Sequence, residues 1–327
     1  MGARDAIAKL ISGGIRAFHS SPHDFERFDL SKIGTGEGAQ AYGHGIYAAE
    51  NPAVSGQGGQ YWDQFSRRFE GPEKEAASYL KAQQFDRQKA IEALRTELAD
   101  EAGKNYPDFA RRQETLRMLE SGAPVGPRTY EVNIKADPAQ MLDWDKAIST
   151  QPHVEEALRR GGFVDAKWPY SGMQGAQSGT SLQPLTSGED AYRAMGIEKV
   201  GRNAPVSDLR KAATDVFGEA GIPGIKYLDE GSRISSPDQI QAIRENIAHR
   251  EALLAERPGD PTNTKWLAEY QDMLKRAENP TSNYVVFDPA NIDILRKYGI
   301  AGAAAAPVVG AAMGSTYDQG TYQEPTP

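Results

Sequence analysis

The sequence predicts an α+β fold on two observations. Short runs rich in Ile, Val, Tyr and Phe at 15–19, 45–49, 129–135, 224–228 and 284–288 have the length and composition of strands. Two long charged tracts, at about 73–121 and 236–279, space their apolar residues at helical intervals instead. Composition agrees, since 39% hydrophobic and 25% charged residues is the balance of a soluble globular chain, and 327 residues can bury a sizeable core.

Residues 1–14 read as a short helix (3–11) and a linker stopped by Gly13-Gly14, and residues 15–298 as one domain. The tract 73–121 carries Leu80, Ile91, Leu94, Leu98, Leu116 and Leu119, with a break at Asn105-Tyr106-Pro107. The segment 161–201 is rich in Gly, Ser, Gln and Pro and reads as a long loop, which places Tyr192 in a loop. The tract 236–279 opens with Ser236 as N-cap, Pro237 at the first helical position and Gln239 completing a capping box. Ile240, Ile243, Ile247 and Leu254 then share one face, and Pro258-Gly259-Asp260-Pro261 turns the chain into a second helix. The expected core is therefore a sheet with two inserted helical hairpins. Residues 299–327 form an Ala/Gly-rich and polar tail, too short and too interrupted by Pro307 for a membrane span.

Several classes of function are disfavoured by composition. A net charge of −8 does not suit a nucleic-acid surface, which needs clustered Lys and Arg. With no cysteine there is no disulfide, thiolate metal site or cysteine nucleophile. His19, His23 and His44 invite a metal reading, but Pro22 breaks the helical spacing and no carboxylate cluster completes a shell, so no metal is expected. The glycines at 34, 36 and 38 precede no Gly-Lys-Ser/Thr, so a Walker site is unsupported. Gly45-Ile46-Tyr47 also opens like a GIY-type nuclease, yet the second strand such an enzyme needs does not follow.

Three strand edges carry the chemistry. His19 ends the first apolar run, Tyr47 ends a strand flanked by Gly43 and Gly45, and Asn283 begins Asn283-Tyr284-Val285-Val286-Phe287-Asp288. Glycines without a Cβ let backbone approach a bound ring, a tyrosine stacks on it, and an imidazole holds a ribose hydroxyl. Taken singly, His19 and Tyr47 are as well explained as an edge histidine and a core tyrosine.

Taken together, they resemble a family. Phe18-His19-Ser20-Ser21, Gly43-His44-Gly45-Ile46-Tyr47-Ala48-Ala49 and Asn283-to-Asp288 fall in the order of the His-Tyr-Glu ADP-ribosyltransferases, the diphtheria-toxin and poly(ADP-ribose) polymerase branch. Ser21-Pro22-His23-Asp24-Phe25, Ile33-to-Gln40 and Gly221-to-Tyr227 resemble its phage polyvalent-protein type. The resemblance implies a split β-sheet core and NAD+ as substrate. It implies a catalytic set of His19, Tyr47 and the residue at position 283, with nicotinamide bound by His19, Ser20, Ser21, Gly45, Tyr47 and Tyr61. It also implies transfer of ADP-ribose to a host protein, or assembly with virion subunits, in the virion or the host bacterial cytoplasm. The sequence departs from the family twice. Ser20 replaces a glycine, and Asn283 replaces the glutamate, which leaves Glu37 or Glu230 as candidates for the missing carboxylate.

Overall fold

A computed structural model of the chain describes residues 14–33, 41–101, 107–164, 187–233 and 236–298. The expected helix at 3–11, Glu37 with the glycine-rich loop, and the tail beyond 298 lie outside the described residues. The architecture is α+β. Seven strands make one mixed sheet in the order β4-β5-β6-β2-β1-β3-β7. They are β1 (Ile15–Ser21), β2 (Ile46–Ala49), β3 (Arg128–Ile134), β4 (Leu142–Asp143), β5 (Gly224–Leu228), β6 (Ser282–Val286) and β7 (Ile292–Tyr298). Among the described strands only β4 and β5 run parallel.

The five expected strands are present, and β4 and β7 join them at the two edges of the sheet. The pairing is uneven along the sheet. β1 and β3 match over their whole length, from Ile15↔Ile134 to Ser21↔Arg128. β2 and β6 match from Ile46↔Val286 to Ala49↔Asn283. Between these halves, β1 and β2 share a single register pair, Phe18↔Ala49. The centre of the sheet is thus its weakest seam.

Strand alternation separates two apolar layers. One face gathers Ile15, Ala17, Ile46, Ala48, Tyr130, Val132, Tyr284 and Val286. The other joins Ile225, Tyr227, Val285 and Phe287 to α6 (Pro152–Arg160), α7 (Gly188–Val200) and α8 (Val206–Glu219). Ahead of these in the chain lie α1 (Pro52–Ser55), α2 (Gln60–Ser66), α3 (Gly71–Ala82), α4 (Arg87–Glu101) and α5 (Phe109–Glu120).

Two expectations are corrected. The stretch 161–201 is not all loop, because α7 occupies Gly188–Val200 behind a Ser187–Asp190 capping box. Its glycines serve packing, since a Cβ on Gly188 would lie 2.2 Å from the Asp143 carbonyl oxygen, and one on Gly196 2.3 Å from that of Leu209. The first insertion is not a hairpin but three helices, α3 to α5, around Leu80, Leu94, Leu98 and Leu119. The unforeseen break follows α3, where Gln84 and Phe85 take positive φ and Phe85 packs edge-on against Trp62.

The second insertion is the expected hairpin, α9 (Pro237–Glu256) and α10 (Pro261–Glu278). Ser236, Pro237 and Gln239 cap α9 as their spacing predicts. Ile243 is the only fully buried side chain in α9, and α10 has none, so the pair stands off the sheet as an arm. Among the described residues no helix is long and apolar enough to cross a membrane.

Candidate functional site

The seam between β1 and β2 is where the predicted residues meet. His19, the residue after the single register pair, donates from Nδ1 to the Tyr47 carbonyl oxygen at 2.7 Å. The imidazole does here what a ladder amide does elsewhere in the sheet. Because Nδ1 carries the proton, Nε2 is left as an acceptor. Burial holds the His19 pKa below the ordinary histidine range, opposed by the bond to Tyr47, so the ring is neutral. Phe28 meets the ring edge-on at 5.1 Å, with Phe25 and Tyr130 each 6.1 Å away.

Tyr47 lies on the other layer, packed against the cluster that contains Tyr227 and Val285. Its hydroxyl donates to the Gly43 carbonyl at 2.7 Å and accepts from the Tyr42 amide at 3.2 Å, closing the turn that precedes β2. Burial raises its pKa far above the ordinary tyrosine value, the Tyr42 amide opposing, which excludes a phenolate at neutral pH. The two rings are therefore not facing walls. They are neighbours across the seam, joined through the Tyr47 carbonyl.

Tyr61, on α2, is 37% exposed, while burial raises the pKa of its hydroxyl, with the nearby Tyr42 hydroxyl and Glu230 carboxylate adding to the rise. Its ring packs against Phe65 with centroids 6.4 Å apart and is otherwise partly open, as a stacking platform requires. Around it, Tyr42 stacks on Tyr227 with centroids 3.8 Å apart, and the Arg233 guanidinium, paired to Asp145 at 2.7 Å, lies 5.8 Å over Tyr42. Glu230 is exposed in the turn after β5.

Ser20 is buried, and its hydroxyl donates to the Ser55 carbonyl at 2.9 Å, so α1 accommodates the bulk that glycine would have avoided. Ser21 Oγ accepts from the His23 amide at 3.1 Å and shapes the turn after β1. Gly43 and Gly45 are required by the protein itself. A Cβ on Gly45 would lie 2.6 Å from Val285 Cγ1 and 2.7 Å from the Val286 carbonyl oxygen. One on Gly43, at φ +128°, would lie 2.8 Å from Ile225 Cδ1 and 3.0 Å from the Tyr192 hydroxyl. Their room is filled by protein, not kept for a ring.

Asn283 pairs in register with Ala49 on one side and Tyr227 on the other, two residues along β6 from the partner of Tyr47 and so on the Tyr47 face. Its Oδ1 is shielded from solvent and accepts no hydrogen bond from any described residue. Sequence reasoning missed Tyr192, whose hydroxyl accepts from the His44 amide at 3.1 Å and contacts Thr214 Oγ1 at 2.8 Å. Thr214 in turn donates to the His44 carbonyl at 2.7 Å. These partners lie 148 and 170 residues from His44, and no local pattern marks them.

Among the described residues no group of three His, Asp or Glu side chains is placed to hold a metal ion. A cleft of about 460 Å³ lies between α2 and α3, lined by Trp62, Asp63, Ser66, Ser78, Lys81 and Ala82. No family model, curated protein or solved structure matches the chain.

Proposed function

We propose that this protein is an NAD-dependent mono-ADP-ribosyltransferase acting on a protein of a bacterial host. The observation that carries the reading is the His19 Nδ1 to Tyr47 carbonyl bond at the seam of the sheet. It leaves a neutral imidazole with Nε2 as acceptor at the seam, and a sheet joined at its centre by one pair is consistent with the split core of the resembled family. In this reading nicotinamide stacks between Tyr47 and Tyr61, and His19 Nε2 accepts a ribose hydroxyl. The nicotinamide–ribose bond then breaks through an oxocarbenium-like state, and ADP-ribose passes to the acceptor.

One observation favours a second reading, a virion structural or ejected protein with little turnover. Asn283 offers an acceptor oxygen but no charge to the cationic transition state. A charge-assisted hydrogen bond is worth about 1.5–3 kcal/mol, or roughly ten- to hundredfold in rate. Turnover of NAD by Asn283→Glu, measured as nicotinamide release, separates the two. A rise of that order supports a transferase awaiting only the carboxylate at 283. An unchanged rate in an active parent assigns the charge elsewhere, and Glu230→Gln then tests the exposed carboxylate near Tyr61. No release by either the parent or Asn283→Glu removes the transferase reading.

A further inference from the structure

The start of β6 is held more firmly than a strand emerging from a free-standing arm requires. Glu50, the residue after β2, spans Asn283. Its Oε2 accepts from the Ser282 amide at 2.9 Å and its Oε1 accepts from the Tyr284 hydroxyl at 2.7 Å, so both neighbours of Asn283 are tied to one carboxylate. The Glu50 amide also donates to the Ser282 carbonyl at 3.0 Å. One residue earlier, the Thr281 hydroxyl donates to the buried Asp229 carboxylate, and its amide donates to Ser232 Oγ at 2.9 Å. The Asp229 amide closes the clasp on the Thr281 carbonyl at 3.1 Å.

These bonds surround a side chain whose acceptor oxygen takes no hydrogen bond from any described residue. A shielded oxygen without a donor is costly, and native proteins leave few such atoms unexplained. Asn283 sits between the small Ala49 and Tyr227, on the face of the sheet that carries Tyr47.

We infer that Glu50, supported by the Asp229–Thr281 clasp, is a positioning residue that fixes Asn283 as a hydrogen-bond acceptor for a hydroxyl of the bound substrate. The purpose of the clamp rests on the transferase reading. Its geometry does not.

Two measurements test it. Amide hydrogen exchange on the NAD-free protein compares the parent with Glu50→Gln and with the milder Tyr284→Phe, which removes one of the two bonds. Faster exchange at Asn283, by tenfold or more in Glu50→Gln and less in Tyr284→Phe, with Val132 and Ile134 unchanged, is the expected result. Unchanged exchange at Asn283 in both variants overturns the clamp. Nicotinamide release is then measured in Glu50→Gln, Asn283→Ala and the double variant. The loss from Glu50→Gln should fall mainly on kcat, and the double variant should be no slower than Asn283→Ala. Fully additive losses overturn the claim that Glu50 acts through Asn283. A parent that releases no nicotinamide sinks the transferase reading and the substrate role inferred for Asn283, while exchange still decides the clamp.

Discussion

Burial disfavours the imidazolium of His19, so its pKa is lower folded than unfolded. Where pH falls through the unfolded value of about 6.5, the unfolded chain takes up a proton that the folded protein refuses, and stability is lost as pH falls. Above that range the contribution is fully present. Substrate binding that needs neutral His19 should therefore stay level from pH 8 down to the unfolded value and decline only below it. Calorimetric titration of NAD across this range in the parent and in His19→Ala checks the point. A binding midpoint at or above the ordinary histidine value would show that His19 is not the group involved. Gly45 is held by packing against backbone. Gly45→Ala drives a methyl group to 2.7 Å from the Val286 carbonyl oxygen, and backbone cannot turn aside as a side chain can. Overpacking of that kind costs about 1–3 kcal/mol, to be read from the midpoint of urea denaturation.

At the scale of elements, two pieces of helical structure hold the site differently. α7 and α8 are core. Tyr192 and Thr214 bind both backbone groups of His44, and so fix the turn that delivers Tyr47 into β2. Tyr192→Phe removes the acceptor for the His44 amide and should destabilise the fold by about 1–3 kcal/mol. A change of only a few tenths would show that the turn does not depend on it. The α9–α10 arm is the opposite case, with Ile243 as its one fully buried side chain. Replacing residues 237–278 by a short Gly/Ser linker, with Asp229, Ser232 and Thr281 kept, should preserve cooperative thermal unfolding and NAD hydrolysis while weakening transfer to the acceptor. Loss of the cooperative transition would place the arm in the core.

For the whole molecule, the central fact is a seven-stranded sheet joined at its middle by one register pair, with an imidazole completing the seam. Much of this frame was legible. β1, β2, β3, β5 and β6 follow from apolar runs of strand length, and the arm from its capping box and apolar spacing. β7 escaped because charged Arg296 and Lys297 interrupt its apolar residues, and β4 because a two-residue strand carries no period. α7 escaped because glycines that allow close packing look the same in sequence as glycines that make loops. α8 did carry a signal, since Leu209, Ala213, Val216 and Phe217 recur at helical spacing. The pairing of His19 with the Tyr47 backbone was not legible, because it depends on two strands parting. Nor was the span of Glu50 across Asn283, which joins residues more than two hundred positions apart.

Transfer of label from adenine-labelled NAD to protein in a bacterial lysate reads the whole reaction at once. The parent is compared with Tyr47→Phe, Tyr61→Ala and His19→Ala. Tyr47→Phe keeps the ring but loses the hydroxyl that closes the Tyr42–Gly43 turn. Labelled protein is expected with the parent, a partial loss in Tyr47→Phe, and a loss of at least tenfold in Tyr61→Ala and His19→Ala, each variant retaining the cooperative unfolding of the parent. Labelling by the parent that persists undiminished in folded His19→Ala and Tyr61→Ala, or no labelling by the parent at all, would contradict the proposed reading.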